Sequence, residues 1–279
     1  MIRLLLATLT FTLLLSACSK NEGLQGEKVF SGMNNTESGY DVSYDYDKHK
    51  RVVGVTVKDL NNNPENYHSE MIRFDSTGRI SFTYASEDQL SFGRIAKQME
   101  YDTSGSMRKI RLYSYYSSLV DGYDSLGYDN AGRVIAVYHY KIDGIVAPFL
   151  LTRKDVLERD AKGNVTTRYS TPVYRNVESK DVTVTTYTYD DRPNYLGSSF
   201  SHFILNQEEN AGWSSANNVL TKTIRYPKGD TIVTYTNVYT YDAANRPTAR
   251  DENKKMTVAG NLTSNVNTHY QMVYKILDL

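Results

Sequence analysis

Residues 231–241, Thr-Ile-Val-Thr-Tyr-Thr-Asn-Val-Tyr-Thr-Tyr, sort into two rows with the period of a β-strand. Val233, Tyr235, Asn237, Tyr239 and Tyr241 share one face; Ile232, Thr234, Thr236, Val238 and Thr240 share the other. Neither row is apolar enough to face lipid, as a membrane-spanning strand must along one whole side. A similar strand-like run occupies Val219–Tyr226. The first seventeen residues differ: Arg3 is their only charge, and an apolar run from Leu4 to Leu15 follows, too short for a stable transmembrane helix. That is the pattern of an export signal.

Between the strand-like runs a tag recurs: aromatic, Asp, two polar residues, Gly and Arg. It is clearest at Phe74–Arg79, Tyr128–Arg133 and Tyr241–Arg246, recognisable at Tyr46–Arg51 and Tyr101–Ser106, and weaker at Arg159–Asn164 and Tyr189–Asn194. The tag aspartates fall at 47, 75, 102, 129, 160, 190 and 242, so the spacings are 28, 27, 27, 31, 30 and 52. A degenerate copy at Asn217-Asn218 divides the last interval into 27 and 25. As local chemistry the tag is a hairpin turn: Asp accepts backbone N–H groups, and Gly supplies the left-handed conformation, with Asn164 and Asn245 as its stand-ins.

A unit of about 27 residues holds two strands and their turns. The expected fold is therefore all-β: an antiparallel meander of about eight hairpin units and sixteen strands, soluble, strongly twisted or rolled into a barrel-like sheet. A closed sheet of that width is broad enough for water or a plug. Residues 38–279 form this domain, 18–37 a glycine-bearing tether, and 1–17 the signal. The stretch from Pro193 to Asn217 interrupts the meander, and its 196–205 segment allows a short helix. Phe200, Phe203, Ile204 and Trp213 there suit filling one end of a wide sheet; long insertions also tend to carry function.

Composition narrows the function. Lys plus Arg and Asp plus Glu number 32 each, and removing the signal leaves 31 against 32, so charge supplies no case for nucleic acid. Cys18 is the only cysteine, which excludes intrachain disulfides. With 24 Tyr against 8 Phe and 1 Trp, the strands suit faces that are partly wet.

Two resemblances follow from these residues. Leu15-Ser16-Ala17-Cys18 resembles the lipobox of bacterial lipoproteins, which implies lipid on Cys18 and an outer-membrane lipoprotein, on the periplasmic face or the cell surface. The Tyr-Asp-x-x-Gly-Arg units, as at 128–133, resemble the YD repeats of RHS-type proteins, although several copies lack Gly or Arg. Together with Tyr189–Asn194 and Trp213–Val219, the chain is similar to a family of Bacteroidetes lipoproteins with a porin-like β fold. That resemblance implies no catalytic residues.

Motifs for a nucleophile elbow, a zinc protease, a phosphate loop or a dinucleotide site are absent, and the five histidines are scattered. Asp41, Asp45 and Asp47, and likewise Asp121, Asp124 and Asp129, lie close in sequence but outside the regular calcium-loop pattern. No metal or cofactor is expected. The leading function is a non-enzymatic envelope module that binds a glycan or a protein, attached to the membrane only by lipid. Its candidate ligand-binding residues are Tyr187, Tyr189, Tyr235, Tyr239, Tyr241 and Trp213, against the competing role of such rings as cross-strand packing pairs. The alternatives are a structural or assembly component, or a polysaccharide hydrolase, which requires two carboxylates converging in one cleft.

Overall fold

The structure is a computed structural model, and it describes residues 27–35, 37, 39–59, 67–86, 93–114, 119–142, 148–196, 204 and 214–277. Its strands are β1 (Glu27–Asn35), β2 (Tyr40–Tyr46), β3 (Val52–Asp59), β4 (Tyr67–Phe74), β5 (Ile80–Ser86) and β6 (Arg94–Tyr101). They continue with β7 (Met107–Tyr113), β8 (Val120–Tyr128), β9 (Val134–Ile142), β10 (Phe149–Arg159), β11 (Val165–Tyr174) and the two-residue β12 (Val177–Glu178). The last five are β13 (Thr183–Pro193), β14 (Asn217–Arg225), β15 (Thr231–Tyr241), β16 (Pro247–Val258) and β17 (Asn261–Leu277). Each pairs antiparallel with the next around the sheet; β11 continues to β13, and β17 returns to β1. With β12 as a side flap, the result is a closed barrel of sixteen strands, with no free sheet edge to protect.

Six tag turns share one geometry. The Asp N–H donates to the carbonyl four residues on, and the N–H three residues on donates back to the Asp carbonyl. Oδ1 of the same Asp accepts the N–H groups two and four residues on, at 2.8–3.0 Å. The residue after the two corners has positive φ in each, 60° at Asn245 and 75° at Gly132 for example. Where the tag ends in Arg, that side chain pairs with Asp Oδ2, as Arg133 does with Asp129 at 2.7 Å.

The aromatic position couples neighbouring hairpins. Tyr101 donates to the Ile80 carbonyl at 2.8 Å, Tyr128 to Met107 at 2.6 Å and Tyr189 to Val165 at 2.6 Å, each acceptor being the first strand residue after the preceding turn. Arg159, which stands where the aromatic should be, donates through Nη2 to the equivalent Val134 carbonyl at 3.0 Å. In return the turn arginines lie over the next ring, Arg51 at 3.8 Å from the Phe74 centroid and Arg79 at 4.7 Å from that of Tyr101.

The seam follows the same rule without a covalent turn. Tyr274 of β17 pairs with Phe30 of β1, Arg246 lies over Tyr274, and Tyr46 donates to the Phe30 carbonyl. The eighth hairpin is thus assembled from the two ends of the chain. Two expectations are corrected here. Residues 27–35, assigned to the tether, are strand β1 of the barrel. Asn217-Asn218 is not a separate unit either.

Asp190 and Asn218 belong to one interrupted turn. Asp190 Oδ1 accepts Arg192 N–H at 3.0 Å, as expected two residues on, but its second donor is the N–H of Asn218 at 3.1 Å. Asn218 Nδ2 reaches Asp190 Oδ2 at 3.1 Å, the place that Arg or Asn164 takes elsewhere. The insertion is spliced into that turn. Its Ile204 lies in the lumen, fully buried within the larger apolar cluster with Ile72, Met99, Ile110 and Leu157, and Lys97 Nζ donates to the Ile204 carbonyl at 2.8 Å while pairing with Glu70. On the way out, Ser214 is held by Arg159, Ser215 by Val165 N–H and Tyr189, and Asn217 by Asn164. Ile204 therefore plugs the lumen at that point. The helix expected over 196–205 lies outside the described residues apart from Leu196 and Ile204.

A second apolar cluster, Phe30, Val42, Tyr44, Val52, Val55 and Met272, fills the lumen beside the seam. The barrel exterior mixes charged and apolar side chains: Arg73, Asp251 and Lys255 are exposed, Glu100 pairs outside with Lys109 and Arg111, and Met71, Val238 and Val273 are exposed as well.

Candidate functional site: a tyrosine-lined chamber in the barrel

Two rows of the β15 pattern decide the site. Because β15 pairs residue for residue with β16, Tyr235 faces Lys254, Asn237 faces Glu252 and Tyr239 faces Arg250, all inward. β17 continues the layer, with Tyr270 beside Arg250 and Thr268 beside Glu252. On the other flank Lys222 of β14 lies against Tyr235 and Tyr187.

These side chains, with residues of β1, β2 and the entry to the plug, enclose a chamber of about 660 Å³. Phe30, Tyr44, Tyr195 and Tyr239 form its floor near the tag turns, and the walls run to Asn35, Glu37 and Tyr40 at the opposite end of the barrel. Its size falls in the usual range for a small-ligand pocket.

The floor is a packed set of rings. Phe30 lies 4.7 Å from Tyr195 edge to face, and Tyr195 lies 6.2 Å from Tyr239. Burial holds the phenols of Tyr44 and Tyr239 well above their ordinary value, so they stay protonated and able to donate. Two buried polar atoms in the wall have no hydrogen-bond partner among the described residues, Asn237 Oδ1 and Arg250 Nε. Arg250 stacks 4.3 Å from the Tyr270 centroid, and Glu252 comes no closer than 3.6 Å to its Nη2.

Of the residues proposed from sequence, Tyr187, Tyr235 and Tyr239 line the chamber. Tyr189 and Tyr241 do structural work beneath it, Tyr189 on Val165 and Ser215, Tyr241 on Asp190. Trp213 and Cys18 lie outside the described residues. Sequence reasoning passed over Arg250, Glu252, Asn237 and Lys222. One signal was present: 247–258 carries charge on both faces of its alternation, which a strand lining a polar lumen does and a strand over an apolar core does not.

Two carboxylates do converge elsewhere in the barrel. Asp124 and Asp155, each 1% exposed, flank His139, at 2.6 Å from Nδ1 and 3.1 Å from Nε2. Asp155 also takes Arg168 at 2.7 Å and Ser170. Burial opposes charge on His139, but the two carboxylate bonds outweigh it and hold the imidazole above its usual value. For Asp155, burial is outweighed by His139 and the arginines, and the group is lowered to about 2. Neither aspartate is a lining residue of the chamber. Of the two acidic groups noted in the sequence, Asp47 and Asp129 are tag aspartates and Asp124 is this strut. Among the described residues no three His, Cys, Asp or Glu side chains are grouped to hold a metal ion.

No family model matches the sequence, and no curated protein does. Solved structures show likeness of shape. A porin-like protein from Bacteroides uniformis is 10% identical, with 90% of this chain and 98% of that one covered at a TM-score of 0.45. A porin-like protein from Bacteroides vulgatus is 11% identical, with coverage of 90% and 100% at a TM-score of 0.42. The Tc holotoxin pore of Photorhabdus luminescens is 14% identical over 82% of this chain, which spans 9% of the toxin chain, at a TM-score of 0.33.

Proposed function

We propose that this protein is a lipid-anchored envelope protein that binds a short glycan in the chamber of its barrel. The chamber carries the proposal: phenol rings suit the C–H face of a sugar, and the polar side chains of Lys222, Glu252 and Thr268 in its wall suit the hydroxyls. A charged exterior supports a barrel standing in water, because Arg or Lys facing lipid costs about 2–4 kcal/mol each at mid-bilayer. Lipid on Cys18 is then the sole attachment. Because β1 starts at the tag-turn end, a tether from Cys18 to Glu27 of at most roughly 30 Å turns the plugged end towards the membrane and the chamber mouth away from it.

A glycan array probed with the full chain tests the reading, together with Thr268→Trp, which fills the chamber from β17. Binding by the native chain and its loss in Thr268→Trp, at an unchanged melting midpoint, is the expected result. Silence across the array, or equal binding by the variant, overturns it.

A further inference from the structure

We infer that the glycan taken by the chamber is acidic, and that Arg250 is the fork that receives its carboxylate. This rests on the chamber-binding reading above and names the ligand class for it.

Arg250 is an unusual wall residue. Its side chain is 14% exposed, its Nε has no hydrogen-bond partner among the described residues, and its nearest carboxylate, on Glu252, is 3.6 Å from Nη2, beyond a good hydrogen bond. A guanidinium withdrawn from water, with the Tyr270 phenol beside it and no carboxylate closer than 3.6 Å, is incompletely paired, and a ligand carboxylate would complete it. Arg250 Cζ lies over the Tyr270 ring, 4.3 Å from the centroid, a contact that helps to hold the guanidinium in the wall. Parallel N–H groups match a carboxylate bidentately, and they match a lone hydroxyl poorly.

The surroundings point the same way. Lys222 and Lys254 hold their ammonium groups 5.1 and 5.4 Å from the Tyr235 ring, one register step above Glu252 and Asn237. With Arg250, Lys222 lines the chamber opposite Glu252 and Glu37, while Lys254, exposed, lies over the Tyr235 ring. Arg250 sits beside the floor rings and Lys222 higher on the wall. That order suits a carboxylated sugar seated deep, its ring face on Tyr239 and Tyr195, with the following sugar reaching towards Tyr235.

The test is calorimetric titration of the full chain, native and variant, with trigalacturonate and with galactotriose, which share ring configuration and differ in the carboxylate. Trigalacturonate should bind more tightly by about tenfold or more, the usual worth of a hydrogen bond to a charged group. Arg250→Gln should erase that preference, and Glu252→Gln, which removes the competing carboxylate, should enlarge it. Should Arg250→Gln fail to fold by circular dichroism, Arg250→Lys keeps the charge without the fork and should lose most of the preference. Equal or tighter binding of galactotriose overturns the inference and leaves the chamber reading standing. A preference that survives Arg250→Gln overturns it too. Binding of neither trisaccharide overturns the inference, and the glycan array then decides whether the chamber reading falls with it.

Discussion

Asn218→Ala is the sharpest test of the claim that the plug is spliced into a tag turn. Asn218 is 1% exposed, and its amide donates to Asp190 Oδ2 and the Pro193 carbonyl at 3.1 Å and to Tyr241 Oη at 3.2 Å, while its Oδ1 accepts Tyr195 N–H at 3.0 Å. Alanine deletes all four and takes the Asn218 partner from the part-buried Tyr195 N–H and Pro193 carbonyl. At ~1–3 kcal/mol for each stranded group, the loss is about 3–4 kcal/mol. For a chain of this size that lowers the melting midpoint by about 2–4 °C per kcal/mol, hence by roughly 10 °C. Asn245 is the control, because it occupies an uninterrupted turn with a φ of 60° and is exposed, its Oδ1 accepting Arg192 Nη1 at the surface. Asn245→Ala should cost only about 1 kcal/mol. Thermal melts followed by circular dichroism compare the two, and proteolysis mapped by mass spectrometry should show new cleavage between Pro193 and Asn217 in Asn218→Ala alone. If Asn218→Ala melts within about 3 °C of the native chain, the insertion is not held through this turn and the splice is wrong.

Three further outcomes are expected, two from the structure and the last from the proposed lipid anchor. The Asp124–His139–Asp155 strut has a pH signature. The folded value of His139 is raised, so its contribution is complete below the unfolded value near ~6.5 and fades as pH rises through the folded one; Asp155, lowered to about 2, contributes above ~3.9 and fades as pH falls. Melting midpoints should therefore peak between about pH 4 and 6.5, and His139→Gln should flatten the alkaline limb; an unchanged limb assigns it to other groups. Glycines at turns and in strands should separate: a Cβ at Gly132 meets nothing within 4 Å and pays only for its φ of 75°, about 1 kcal/mol, whereas one at Gly122 falls 2.7 Å from the Tyr140 carbonyl. Gly122→Ala should thus melt well below Gly132→Ala, by differential scanning fluorimetry, and the reverse order would discredit the strand register there. Finally, Cys18→Ala should move the chain from the membrane fraction to the soluble fraction; retention in the membrane would mean that the barrel itself contacts lipid.

Much of the architecture is local, and local chemistry is readable. The tag Asp, its positive-φ partner and the alternation of 231–241 act within a few residues, so all-β hairpins follow from sequence alone; the expected sixteen strands counted Asn217-Asn218 as an eighth unit, a place that the β1–β17 seam takes instead. What sequence could not show is which groups meet across the barrel. Asn218 looked like the start of a new unit because spacing treats the chain as continuous, yet it closes the turn that Asp190 opens. Residues 27–35 looked like tether because β1 has no hairpin partner on its N-terminal side; its partner β17 lies at the far end of the chain. The chamber belongs to the same class of fact. Tyr235, Tyr239 and Tyr187 were legible as rings on strands, but ring closure decides that they face a cavity, whereas Tyr123 and Tyr140, just as regular, stack on each other outside at 4.5 Å. Arg250 finds its role only when β16 is placed between β15 and β17, because a buried charge is recognised by its neighbours and not by its own spacing.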